Sequence, residues 1–199
     1  MIKTTETVIY DCRKTQQDTP PPLPGITRVD TLRILGVTLT RRLSASDHIR
    51  RVVSECSQTL YALRVRVTTA WLTLAYTQSF VAEMLYACSA WSGFITASDR
   101  HRVDAFLRRS KRSGYCQPDL PSFDDLLEDA DEKVFNKLCS NPQHSLHHLL
   151  LPPNLASQHY NLRPTSSHNR QLPTRSGHLA DANFITRLLY NDCYWSLTQ

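Results

Sequence analysis

Residues 28–64 read RVDTLRILGVTLTRRLSASDHIRRVVSECSQTLYALR, and the reading of this stretch decides the fold. Leu35, Val37 and Leu39 alternate with small or polar residues, the period-two pattern of a half-buried strand. Ser44 and Ser46 then offer helix N-caps, and Ser44-x-x-Asp47 approximates a capping box. Ile49, Val53, Cys56, Leu60 and Leu63 recur at steps of four and three, which places them on one face of a helix from about Ser46 to Arg66. Arg50, Arg51 and Arg64 fall off that face, where they reach solvent or phosphate. The stretch is thus an extended segment, a polar turn and one long amphipathic basic helix.

Upstream, Thr5 to Tyr10 has strand composition. Residues 11–26 carry Pro20, Pro21, Pro22, Pro24 and Gly25 and cannot be helical. They read as a connector between strands, with a Pro-rich recognition motif as the alternative. Residues 27–39 return as a strand, where Gly36 marks a bulge or a close backbone approach. Downstream, a second helix is predicted over Ala70–Trp91, with Leu74, Val81, Leu85 and Cys88 on one face and Ser92-Gly93 as its stop. The spacing of Trp71, Tyr76, Tyr86 and Trp91 fits core packing better than base stacking. A third helix runs from near Ser98 to Gly114, with Val103, Phe106 and Leu107 as its stripe.

From Gln117 the character changes. Ser122 is a fresh N-cap with acids in the first turn, where the helix dipole favours them. Short helices are predicted over 122–139 and 143–150, an irregular segment over 152–180, and one more short helix over 181–191. The expected fold is mainly α, a small helical bundle with a short N-terminal β-hairpin and an irregular C-terminal tail. Four segments follow: strands and Pro-rich linker to residue 40, the bundle over 41–116, an acidic helical segment over 117–150, and the tail.

Charge is unevenly placed. Residues 1–116 hold 17 Lys/Arg against 9 Asp/Glu, and residues 117–199 hold 6 against 9. Basic charge gathered in one half points to a polyanionic partner, with nucleic acid first, or to a basic face with no partner. The six cysteines form no CxxC pair. No signal peptide opens the chain, so free thiols and an intracellular location, nuclear or cytoplasmic, are expected. Residues 67–82 lack charge but are too polar and too short for a membrane span, so no membrane partner is expected.

The third helix is the strongest binding candidate. It carries Arg100, Arg102, Arg108, Arg109, Lys111 and Arg112 against Asp99 and Asp104, and such a helix can track a phosphate backbone. A second basic surface comes from Arg41, Arg42, Arg50, Arg51, Arg64 and Arg66. The acids Asp119, Asp124, Asp125, Glu128, Asp129, Asp131 and Glu132 do not converge from rigid elements as two-metal chemistry requires, and read as a solvated face. Cys139, His144, His147 and His148 lack the paired spacing of a zinc site. There is no Gly-rich phosphate loop, no GxSxG and no HExxH. No small-molecule substrate is indicated.

The order of Leu32-Arg33-Ile34-Leu35-Gly36-Val37-Thr38-Leu39, Asp47-His48-Ile49, Leu60-Tyr61-Ala62-Leu63-Arg64, Leu85-Tyr86-Ala87, Ala90-Trp91 and Phe106-Leu107-Arg108-Arg109 resembles one family. It is similar to the palm end and thumb of reverse transcriptases from non-LTR (LINE-type) retrotransposons. The likeness extends to Asn161-Leu162-Arg163-Pro164, His168-Asn169-Arg170 and Asn183-Phe184-Ile185. The resemblance implies that 32–39 match the hairpin that helps hold the primer end. It implies further that 46–112 match the thumb helices gripping the template–primer duplex, and that Lys3-Thr4 match the Lys-Thr before the last palm strand. The chain departs from the family between Leu63 and Leu85, where the usual Gly-containing turn is missing. It also lacks the family's Tyr/Phe-x-Asp-Asp motif, so the Mg²⁺ sites and polymerase activity are not expected here. The expectation is a truncated, non-catalytic C-terminal piece, its catalytic elements lying before Met1. It would bind RNA–DNA hybrid or DNA weakly and with little sequence preference. The alternative is a small helical protein–protein interaction module using residues 20–24 or 119–132.

Overall fold

The run 27–39 breaks into short strands instead of extending as one. The computed structural model describes residues 4–9, 19–66, 78–153, 170–175 and 177–194, the side chains of 63–66 and 191–194 lying outside that description. Thr5–Glu6 (β1) pairs in parallel with Thr27–Arg28 (β2), and Thr31–Ile34 (β3) pairs antiparallel with Val37–Thr40 (β4). Pairing of Ile34 with Val37 leaves a two-residue turn, Leu35-Gly36, both at positive φ (47° and 87°). This is type I′ geometry, whose twist matches the flanking strands. Apolar alternation runs straight through the turn, so periodicity alone reads one strand; Gly36 was the signal of the reversal. Of the strand expected over Thr5–Tyr10, β1 retains two residues, and Tyr10 lies outside the described residues.

In the Pro-rich connector, Ile26 N–H donates to the Leu23 carbonyl at 3.2 Å around Pro24-Gly25, with Gly25 at φ 78°. Pro then Gly at these positions specifies a type II turn. Arg28 ties the connector down, donating to Glu6 at 2.8 Å and to the Pro20 carbonyl at 2.7 Å.

Helix α1 spans Ser46–Arg66, as the spacing predicts. Its buried face is Ile49, Val52, Val53, Cys56 and Leu60, joined by His48; the Leu63 side chain lies outside the described residues. The capping box expected on Asp47 is replaced. Ser44 Oγ instead donates to Ser46 Oγ at 3.0 Å, and Ser46 Oγ donates to Asp99 at 2.6 Å. A buried carboxylate from another helix is the stronger acceptor.

The second predicted helix is interrupted. Residues 78–84 (α2) and Cys88–Trp91 (α3) are separated by a turn at 85–87, with Ala87 at φ 50°. The first part of that prediction, 70–77, lies outside the described residues with Trp71 and Tyr76. The interruption frees the Tyr86 carbonyl, which accepts from the fully buried Trp91 Nε1 at 2.9 Å. Tyr86 itself is 54% exposed and not the core residue that spacing suggested.

Helix α4, Ala97–Arg112, opens on a capping box between Thr96 and Asp99. Its start bonds to the start of α1 through Ser46–Asp99, so the two helices run parallel. The chain over 78–91 returns antiparallel to α1, with Glu83 near Cys56 (3.8 Å) and Trp91 edge-on to His48 (5.4 Å). Phe80 meets Phe106 edge-on at 5.7 Å. The result is an up–down–up helical bundle, with β4 packed on α1.

The chain divides into two compact units, Met1–Leu126 and Leu127–Gln199, the division falling inside α5, Phe123–Ser140. Ser122 caps α5 by accepting from Asp125 N–H (3.2 Å), and the Asp125 carboxylate accepts from Ser122 N–H (3.1 Å), as the sequence predicts. In the second unit, residues 143–150 yield only the 3₁₀ turn His147–Leu149. His178–Asp181 (α6) and Phe184–Tyr194 (α7) follow. Phe135, Leu138, Leu150 and Leu189 form this unit's core, with Phe184, Ile185 and Leu188 against it. Most of the segment expected to be irregular, 154–169, lies outside the described residues.

Candidate nucleic-acid interface

Helix α4 divides its cations by position. Asp99, Val103, Phe106, Leu107 and Ser110 are its buried stripe. At its N-terminal end, Arg100 binds the Asp124 carboxylate and the Ser92 carbonyl, and Arg102 binds Asp99 at 3.3 Å. Lys111 donates to the Leu120 carbonyl, pinning the loop that leads to α5. Arg108, Arg109 and Arg112 are exposed and have no hydrogen-bond or ion-pair partner among the described residues. Arg108 and Arg112 stand one turn apart on the face opposite the buried stripe, with exposed His101 two turns before Arg108. Arg109 stands beside them at the edge of a cavity of about 340 Å³.

The cations of α1 and its approach are mostly engaged. Arg41 pairs with Asp30 at 2.7 Å and Arg50 with Asp47 at 3.1 Å. Arg51 binds Glu55 at 2.7 Å and the Gly36 carbonyl at 3.0 Å, clamping the hairpin turn to α1. Arg42 is exposed and without a partner among the described residues. The side chain of Arg64, also expected to contribute, lies outside them. The side chain of Arg66 lies outside the described residues as well, and the other ten basic residues singled out by sequence separate into six that are engaged and four, Arg42, Arg108, Arg109 and Arg112, that are exposed without a partner among the described residues. Surface ion pairs such as Arg50–Asp47 contribute about 0–1 kcal/mol, so they restrain a side chain without removing its charge.

Two buried ionisable groups lie at the other end of these helices, in the first turns of α4 and α1. Burial pushes the Asp99 carboxyl up, but hydrogen bonds from Ser46 and Thr96 and the charge of Arg102 outweigh it and hold its pKa below the ordinary value. Burial, followed by the charge of Arg51, lowers the pKa of His48. Arg51 is only a donor, so the His48 Nδ1 that it meets at 3.3 Å accepts, and the ring proton sits on Nε2. That Nε2 has no partner among the described residues. Neither group was singled out from sequence as functional, although Thr96-x-x-Asp99 is a legible capping box.

Chemistry elsewhere is limited. Burial raises the Cys56 thiol to about 12, with the charge of Glu83 adding to it, so it carries no thiolate near neutrality. The acidic segment is not wholly a solvated face. Asp131 is buried and pairs with Arg187 at 2.6 Å, whereas Asp124 and Asp129 pair at the surface with Arg100 and Lys133. The signal lay in the pattern: Asp131 occupies the 123–127–131–135 stripe of α5, the position of a core residue. Among the described residues no three His, Cys, Asp or Glu side chains gather as a metal site. Lys3 lies outside the described residues. No described helix is long and apolar enough to cross a membrane.

No family model matches the chain, and neither the curated proteins nor the solved structures contain a match to it.

Proposed function

We propose that the chain binds nucleic acid through the phosphate backbone, as a non-catalytic palm-end and thumb segment of the non-LTR reverse transcriptase type. The observation that carries this reading is the exposed group Arg108, Arg109 and Arg112, unpartnered among the described residues on a rigid helix. Guanidinium groups free of carboxylates match phosphate oxygens in charge and geometry. Arg42 and Arg50 supply further positive charge on the same unit. The chain carries no Tyr/Phe-x-Asp-Asp motif, so polymerisation is not part of the proposal. Binding follows the backbone and tolerates sequence change, because no base-reading element is invoked.

Titration of the chain with a blunt RNA–DNA hybrid at two salt concentrations tests the reading. Affinity that falls steeply with salt supports it. Absence of binding at low salt contradicts it and leaves the protein–protein interaction reading. That second reading draws on Leu23, 55% exposed in the Pro-rich connector.

A further inference from the structure

The cavity of about 340 Å³ beside Arg109 lies at the C-terminal ends of the parallel helices α1 and α4. Its volume falls within the range of about 300–1,000 Å³ typical of small-molecule sites. Its floor is apolar, formed by the buried side chains of Leu60 and Phe106. Two further aromatic side chains line it besides Phe106, Tyr61 from α1 and Tyr115 from the turn after α4. Tyr61 is 71% exposed and off the buried stripe of its helix, so core packing does not account for it. No carboxylate is among the lining residues, and the unpartnered guanidinium of Arg109 is.

Ser110 lies against this cavity, but its hydroxyl is turned inward: it has essentially no exposed surface and bears on the buried Cys116 thiol. The polar groups open to the cavity belong to the exposed Ser57 and Ser113. Ser57 already donates to the Val53 carbonyl at 2.6 Å, so its oxygen is available as an acceptor.

We infer that this cavity takes one unpaired nucleotide at the end of a nucleic-acid strand. The base lies on the apolar floor against the tyrosine rings, its polar edge meets the Ser57 and Ser113 hydroxyls, and its phosphate meets Arg109. Tyrosine faces accept any base, so the site is sequence-tolerant. The cavity demands a flat apolar group, a hydrogen-bonding edge and negative charge together, which excludes a purely aliphatic ligand. The inference rests on the proposed backbone binding for the position of the rest of the strand, because Arg109 belongs to both surfaces.

The test uses the full chain and two probes, with uridine monophosphate as a third. Fluorescence anisotropy compares a blunt RNA–DNA hybrid with the same hybrid bearing a one-nucleotide overhang. The overhang is expected to tighten binding by about tenfold through stacking. Tyr61→Ala, an exposed substitution that leaves the floor intact, removes that gain and leaves affinity for the blunt hybrid unchanged. Ser113→Ala reduces the gain while the fold, checked by circular dichroism, is retained. If the blunt hybrid binds and the overhang adds nothing, the cavity inference fails and backbone binding stands. An overhang gain that survives Tyr61→Ala overturns it as well. If the hybrids do not bind but uridine monophosphate does, and Tyr61→Ala abolishes this, the cavity stands and the backbone reading fails. No binding of any probe overturns both.

Discussion

The two ends of α4 both carry arginines and use them differently. At the N-terminal end, Arg100 and Arg102 are held by Asp124, Asp99 and the Ser92 carbonyl. At the C-terminal end, Arg108, Arg109 and Arg112 face outward without partners among the described residues. Sequence counts these residues alike. Part of the difference is local, since Asp99 in the capping box stands three residues before Arg102, and part is three-dimensional, since Asp124 comes from the first turn of α5. The C-terminal cations complement the negative end of the helix dipole and so remain compatible with a free surface. A basic helix is thus half architecture and half candidate interface.

The sharpest break of this comparison is at Asp99. Replacing it with Ala removes the acceptor of Ser46, Thr96 and Arg102, and stability is expected to fall by about 2–3 kcal/mol, read from the urea midpoint. The same group sets an acid limit. Its folded pKa is depressed, so its contribution is present above the unfolded value of about 3.9 and is lost as pH falls through the lower folded value. Asp99→Asn removes that component of the acid transition. A profile identical to wild type would contradict the assignment. His48 acts at higher pH. Its folded pKa is also depressed, so stability declines as pH falls below about 6.5 and levels off below the folded value.

Arg51→Ala tests whether an engaged cation holds structure. Loss of its bonds to Glu55 and the Gly36 carbonyl is expected to cost about 1–2 kcal/mol, with the exchange of hairpin amides accelerated. A smaller change of opposite sign is expected at the turn it clamps. Leu35 holds φ 47° while 85% exposed, a conformation that suits Asn. Leu35→Asn should therefore raise stability by about 1 kcal/mol, read as a higher urea midpoint. A change of no more than about 1 kcal/mol is expected from replacing Arg108, Arg109 and Arg112 together with Ala, since their one contribution to the fold is the dipole interaction of the last turn.

Much of this was legible in the chain. The stripe of α1 and the Ser122 cap of α5 follow from spacing and residue type. The interruption at 85–87 was not, because its cause is the burial of Trp91 and the acceptor it needs, a tertiary demand on an otherwise helical pattern. The hairpin turn hid inside continuous apolar alternation, with Gly36 as the one local sign. Ser110 and Asp131 were visible only as polar residues standing at core positions of their stripes. Among the pairings that separate structural cations from exposed ones, Arg50–Asp47, Arg51–Glu55 and Arg102–Asp99 stand at helical i,i+3 or i,i+4 spacing and were legible, whereas Arg41–Asp30 and Arg100–Asp124 depend on which acids the fold brings near.

The central claim is that the C-terminal cations of α4, and not those at its start, contact phosphate. The direct measurement is the salt dependence of RNA–DNA hybrid affinity for the chain with Arg108, Arg109 and Arg112 replaced by Ala, beside a second variant with Arg100→Gln and Arg102→Gln. The account predicts that the first variant lowers the slope of log K against log salt by about 2–3, while the second leaves it near the wild-type value. Equal slopes for the two variants, or no hybrid binding by the wild-type chain at low salt, would contradict it.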